Sequence, residues 1–245
     1  MWEFSVIMGA EKGAVAKYIH KNLKRAAEEI HGVITSFEEL GSIHIVFACE
    51  EYDKGRIQFL LGHLISYVIC KYFKEEYLNE KLALPLANDI KLTAFKNALL
   101  SFDKETDSFI VTKNLSFEKS IYLESFYEFK LSSLKNKWSE LVALANDNRA
   151  YLINHESFFE LLRFLIDNLE VREGEINVME DEEGYRILND EFEELEELYE
   201  SGPTEEQLIA CLIELCPRKI NMYTSGGEAI DLLSKIFDKR ISFKG

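Results

Sequence analysis

Six apolar residues, Tyr127, Leu131, Leu134, Trp138, Leu141 and Ala145, recur at alternating spacings of four and three. That rhythm lays one oily stripe along a helix and commits the middle of the chain to helical packing. It predicts a helix of roughly thirty residues, over 117–150. A second stripe, Phe158, Leu162, Leu165, Ile166 and Leu169, predicts another helix. The two are expected to pack together as a hairpin.

Before this stripe the periodicities alternate. Trp2 to Met8 has strand character, and Glu11 to Ile30 carries apolar residues at helical spacing. Val33 to Phe37 and Ile43 to Cys49 read as strands separated by Gly41, and a helical pattern runs from Gly55 to Tyr72. The order β-α-β-β-α suits helices on one face of an antiparallel sheet, a ferredoxin-like half being one such topology. Pro85 interrupts the helical signal, and Asn88 or Asp89 can cap a further helix through Leu100. Ser108 to Thr112 reads as a short strand or extended loop.

After the second stripe, Glu175 to Met179 and Tyr185 to Leu188 flank Asp181-Glu182-Glu183-Gly184, a hairpin signal. Asp190 to Tyr199 reads as a short acidic helix. Thr204 with Gln207 and Ser225 with Glu228 have the spacing of capping boxes, in which each side chain satisfies a free N–H at a helix start. Lys219 to Thr224 and Ile241 to Phe243 read as strands around a helix with the stripe Ile230, Leu233, Ile236 and Phe237. Short connections favour parallel pairing there. The expected fold is mixed α+β (α/β): an N-terminal β-α-β-β-α layer, a central long-helix hairpin, and a small C-terminal sheet with a β-α-β unit. The corresponding domains are 1–86, 87–172 and 173–245.

Charge is distributed unevenly. Between Glu170 and Glu206 stand 16 acidic residues against two basic ones, Arg172 and Arg186. This window nets −14 of the chain's −16, leaving 28 acidic against 26 basic residues elsewhere. A carboxylate-rich surface repels phosphate backbones and anionic lipid, and attracts basic proteins. The expected partners are proteins of basic character, not nucleic acid. Oligomeric state is not set by the sequence.

Cys49, Cys70 and Cys211 lie in apolar runs, and none of the four cysteines has disulfide-framework spacing. The start lacks a basic segment followed by a long apolar one, so no secretory signal is expected. The longest uncharged run, Ile57 to Cys70, has 14 residues, short of the roughly 20 that span a bilayer. A cytoplasmic location without a membrane span follows.

Three stretches stand in order: Ile121 to Leu131, Leu152 to Leu165, and Leu208 to Ile220. Tyr127-Glu128-Phe129-Lys130-Leu131-Ser132 is similar to a Phe-x-Phe-Arg-Leu-Lys core. Cys216-Pro217-Arg218-Lys219-Ile220 is similar to an Ala-Pro-Arg/Lys-Arg-Ile ending. Together, over about Ile57 to Arg240, the chain resembles the YtxC-like family of sporulation proteins of endospore-forming bacteria. The resemblance implies a sporulation context and a bacterial cytoplasm, and no established chemistry or catalytic residues. A cysteine-containing tail common in that family has no counterpart here.

Each chemical motif has a plainer explanation. Ser225-Gly226-Gly227-Glu228 lacks the phosphate-loop fingerprints and reads as a helix cap. Glu180 to Gly184 misses the calcium-loop spacing and reads as a solvated turn. Cys211 and Cys216 point apart on a helix, and the five histidines are scattered, so neither a metal nor a cofactor is expected. Lys130, Lys135 and Lys137 read as a solvated face, broken by Glu128 and Glu140.

The acidic stretch is the candidate site. Phe192, Leu195 and Tyr199 would be apolar anchors, and Glu193, Glu194, Glu196 and Glu197 would attract a basic partner. The leading expectation is therefore a non-enzymatic interaction module. The alternative is a ligand-binding or enzymatic protein with a pocket between the helical segment and the C-terminal β-α-β unit.

Overall fold

The computed structural model describes residues 1–83, 90–147, 155–181, 184–195, 203–224 and 226–244. It divides into two compact units, Met1–Lys81 with Lys104–Val142, and Leu82–Asp103 with Ala143–Gly245. Each contains a mixed four-stranded sheet.

In the first unit, β1 (Trp2–Gly9) pairs antiparallel with β3 (Ser42–Cys49), which pairs antiparallel with β2 (Val33–Glu39). Alternation sends Phe4, Val6 and Met8, with Ile45 and Phe47, to one face. That face is the core. α1 (Gly13–Ile30) buries Val15, Ile19, Leu23, Ala27 and Ile30 there, the stripe expected from spacing. Its carboxyl end closes on left-handed His31, whose N–H donates to Ala27 O. The β2–β3 turn is Leu40-Gly41, with φ of 49° and 77°. Positive φ at both positions marks a two-residue hairpin turn whose twist matches the strands.

α2 (Lys54–Val68), a π-helical turn (Ile69–Phe73) and α3 (Lys74–Lys81) form a continuous helical run. β4 (Ser120–Tyr122) completes the sheet in the order β2-β3-β1-β4 and lies parallel to β1. The β-α-β-β-α half has the expected order, but a ferredoxin-like sheet would place this strand antiparallel to β1. In this unit the α2–α3 run and α5 (Lys104–Asn114) both intervene between β3 and β4. A ferredoxin-like half has a single helix between those two strands.

α5 corrects the expectation of a strand or loop at Ser108 to Thr112. The run Ser-Phe-Ile-Val-Thr has strand propensity, but packing on α2 overrides it and buries Asp107 and Val111. The long helix is also interrupted. Ser120–Tyr122 joins the sheet, α6 covers Leu123–Lys130, Leu131 leaves helical geometry at φ −112° and ψ 34°, and α7 covers Ser132–Asp147. The stripe misled because it marks burial: Leu131, Leu134, Trp138 and Ala145 are all buried, whether helical or not.

In the second unit, β5 (Glu175–Asp181) and β6 (Gly184–Leu188) form the expected hairpin, with the turn residues Glu182 and Glu183 outside the described set. β7 (Lys219–Tyr223) is parallel to β5 and to β8 (Ile241–Phe243), giving the order β6-β5-β7-β8. Ile176, Val178, Ile187, Ile220 and Met222 are buried on one face. Helices α4 (Ile90–Ser101), α8 (His155–Asp167), α9 (Glu205–Leu215) and α10 (Glu228–Phe237) lie among the described residues of this unit.

α8 packs on α4 and α10, in place of the expected hairpin with the long helix. Thr204 and Gln207 form the expected capping box of α9, each side chain bonding the other's backbone N–H. α10 starts differently: its N-cap is Gly227, without side-chain capping. Gly226 and Gly227 sit at φ 112° and 149°, a backbone reserved for glycine that delays the helix to Glu228. Ser225, the expected cap, lies outside the described residues, as do Asn88 and Asp89.

Candidate functional site

Two arrangements stand out, one in each unit. The first is a charged cluster in the core of the first unit, and no sequence motif announced it. Lys74 opens α3 directly after the π-helical turn. A π turn adds a residue per turn and rotates the rest of the helix about its axis. Lys74 therefore points inward, where Nζ lies 2.9 Å from Asp107 Oδ2, both side chains being 1% exposed.

Asp107 reaches this position because α5 is a helix with Asp107 and Val111 on its inner face. Trp138 Nε1 donates to the same Oδ2 at 2.9 Å, and Lys137 Nζ pairs with Oδ1 at 2.6 Å. One carboxylate thus ties α3, α5 and α7 together. Lys137, expected on a solvated face, turns instead to a buried partner. Nearby, Ser66 and Ser108 share a hydroxyl hydrogen bond of 2.6 Å.

Aromatic rings wall the cluster. Trp138 lies 5.8 Å from Tyr77 and 6.0 Å from Tyr127, and Tyr127 lies 5.0 Å from Phe73. Burial pushes the Lys74 ammonium below its ordinary pKa, and Asp107 opposes that shift. Burial likewise pushes the Tyr127 phenol well above its usual range. Cys70, on the π turn, is pushed up to about 11, chiefly by burial and then by the Asp107 charge. Desolvation disfavours whichever form is charged.

A raised thiol pKa makes the folded protein hold a proton that the unfolded chain releases. The Cys70 contribution is complete below about pH 9 and is lost as pH rises toward about 11. A rise of that size corresponds to roughly 2–3 kcal/mol. Denaturant titrations between these pH values should show that loss in the wild type and a reduced loss in Cys70→Ala.

The second arrangement is the predicted acidic stretch. The described part, Asp190 to Leu195, is not helical. It turns back after β6, and Glu194 bridges antiparallel to Leu188. Leu195 N–H donates to Ile187 O at 3.0 Å, and Arg186 pairs with Glu194 at 2.8 Å. Asn189 organises the turn: its Oδ1 accepts the N–H of Glu191 at 3.0 Å and of Glu193 at 2.8 Å. A short polar side chain that satisfies nearby backbone groups competes with helix formation. The acidic helix expected from sequence is thereby corrected over these residues.

Phe192 sits at φ 61° and is 55% exposed. Its ring meets Tyr223 edge-on at 6.4 Å. Tyr223 is the register neighbour of Met179, another exposed apolar side chain. Of the predicted anchors and charges, Phe192, Glu193, Glu194 and Leu195 are therefore brought together beside β6, and Glu196, Glu197 and Tyr199 lie outside the described residues.

A polar row holds this loop to the sheet. Lys219 Nζ and Asn221 Nδ2 donate to Glu175 Oε1, Asn221 Nδ2 also donates to Asn177 Oδ1, and Asn177 Nδ2 donates to Asn189 O. Lys219 and Asn221 hold the Glu175 carboxyl below its ordinary pKa. Among the described residues, no three His, Cys, Asp or Glu side chains gather as metal ligands. No helix among them is long and apolar enough to cross a membrane.

A model of the YtxC-like family matches residues 60–242. That span takes in the whole buried cluster and the whole acidic stretch. No curated protein and no solved structure matches the chain.

Proposed function

This chain belongs to the YtxC-like family, and from that premise we propose a non-enzymatic protein-interaction module of the sporulation programme, acting in the cytoplasm. Its partner is a protein with a basic segment, docked on the acidic stretch around Phe192.

One observation carries the reading: the backbone is strained where it displays an aromatic ring. A left-handed conformation costs a bulky residue about 1–2 kcal/mol, and Phe192 adopts it without being buried. A surface serving only solubility has no need of such a residue. Strain at an exposed side chain points to what that side chain meets. Around Phe192 stand Glu191, Glu193 and Glu194, with Met179 and Tyr223 alongside. An apolar centre with a charged rim is the common anatomy of a protein interface. Glu196, Glu197 and Tyr199 extend the proposed contact along the chain.

Capture of partners from sporulating cells tests this. Phe192→Ala is expected to weaken binding by about 2 kcal/mol, or roughly thirtyfold, as for an interface anchor. Changing Glu193, Glu194, Glu196 and Glu197 to Gln should slow association and flatten its dependence on salt. Unchanged recovery with both variants would refute the docking surface.

A further inference from the structure

We propose that the edge of β2, which no strand among the described residues pairs, joins antiparallel with β2 of a second copy of this chain, making the two first-unit sheets one of eight strands. This edge belongs to the first unit and the acidic stretch to the second, so the two surfaces stand or fall separately.

Sheet edges are open hydrogen-bonding templates, and proteins blunt them with short strands, bulges, proline, lysine or covering segments. Among the described residues, three of the four edges are treated in this way. β4 and β8 have three residues each. The β6 edge is bridged by Glu194. β2 is different: it has seven residues, Val-Ile-Thr-Ser-Phe-Glu-Glu, without lysine or proline. Its register against β3 runs without a bulge from Val33 to Glu39. Val33 and Phe37 are 66% and 47% exposed on the same side of the strand.

The turn fixes which backbone groups face outward. A two-residue hairpin closes on a hydrogen-bonded pair, here Glu39 with Ser42. Hydrogen bonding alternates along an antiparallel strand. Val33, Thr35, Phe37 and Glu39 therefore bond β3, and Ile34, Ser36 and Glu38 present their N–H and C=O to the open side.

Two copies of one edge meet about a two-fold axis, which makes the pairing antiparallel. An axis through Thr35 lets Ile34 and Ser36 exchange backbone hydrogen bonds with their counterparts. It also sets Val33 opposite Phe37 twice. Phe37 already stacks on His44 at 4.9 Å, so Val33 of the other copy extends that apolar strip.

Pairing of Val33 with Phe37 selects this register, and charge is compatible with it. With the axis at Thr35, the two Glu38 residues lie six positions apart, about 20 Å, beyond the screening length of about 8 Å at physiological salt. An axis at Phe37 would bring them to about 7 Å, where like charges repel.

Sedimentation velocity on the full chain reads the state, with a dimer expected. Val33→Lys with Phe37→Lys, both on exposed side chains, should yield a monomer with an unchanged circular dichroism spectrum. Thr35 would face its own copy in a non-hydrogen-bonded pair, with Cα atoms about 4.5 Å apart, within disulfide reach. Thr35→Cys is therefore expected to form a covalent dimer under mild oxidant, and Ser36→Cys is not. A monomeric wild type overturns the proposal. So does a dimer indifferent to both lysines, or one in which Thr35→Cys does not cross-link.

Discussion

Asp107→Asn is expected to destabilise the first unit by about 3–5 kcal/mol, the range for removing one partner of a buried ion pair. The substitution keeps the shape of the side chain and removes its charge. Lys74, in the core beside Trp138 and Lys137, then loses the Asp107 carboxylate that offsets its desolvation. The ammonium must either remain charged at high energy or release its proton.

A second substitution separates charge from packing. Lys74→Met removes the buried cation and keeps an unbranched apolar side chain. The double variant Lys74→Met, Asp107→Asn should therefore be more stable than Asp107→Asn alone. Both tryptophans of the chain, Trp2 and Trp138, belong to this unit, so fluorescence-detected urea titrations follow its unfolding. Additive penalties in that cycle would show that the two residues do not act as a pair.

Trp138→Ala should cost a similar amount, about 3–5 kcal/mol, and Trp138→Phe about 1.5–3 kcal/mol. The alanine empties a fully buried site between Tyr77 and Tyr127. The phenylalanine keeps one six-membered ring in the site and removes the Nε1 donor to Asp107 together with part of the indole volume. The gap between the two variants therefore measures what the retained six-membered ring contributes to packing. Equal losses would mean that the retained ring contributes nothing to packing at this site. With Trp138 replaced, Trp2 remains as the reporter.

These effects concentrate where helical geometry changes. The π turn at Ile69–Phe73 ends at Lys74, and the ion pair fastens it to α5 and α7. Without the extra residue, Lys74 would fall at a different angle around the helix and its partner would be out of reach. The stability of the turn and that of the ion pair are thus one quantity, and either variant should loosen both.

Much of the architecture was legible because burial repeats locally. The strands from Trp2, Val33 and Ile43, the stripes of α1, α8 and α10, and the capping box at Thr204 all rest on neighbours a few positions apart. The misreadings have specific causes. Ser108 to Thr112 has strand propensity but was claimed by a helical surface. The stripe through Leu131 continued across a break because a buried residue need not be helical. Asp190 to Leu195 had helical composition, and Asn189 captured the backbone N–H groups instead. The predicted anchors Phe192 and Leu195 and the carboxylates of Glu193 and Glu194 were legible as residue types, but their display on a turn was not. Nothing local marked Lys74 or Asp107, which are 33 residues apart in the chain.

By itself the sequence determined which side chains leave water, which elements carry them, and where the negative charge accumulates. These follow from composition and from periods of two and 3.6 residues. Only the tertiary structure decided that α4 enters the second unit between two passages of the chain through the first. It alone paired Lys74 with Asp107 and aimed Phe192 outward. Such choices depend on contacts between distant segments, and the partner of a buried charge is whichever group the packed chain brings within 3 Å.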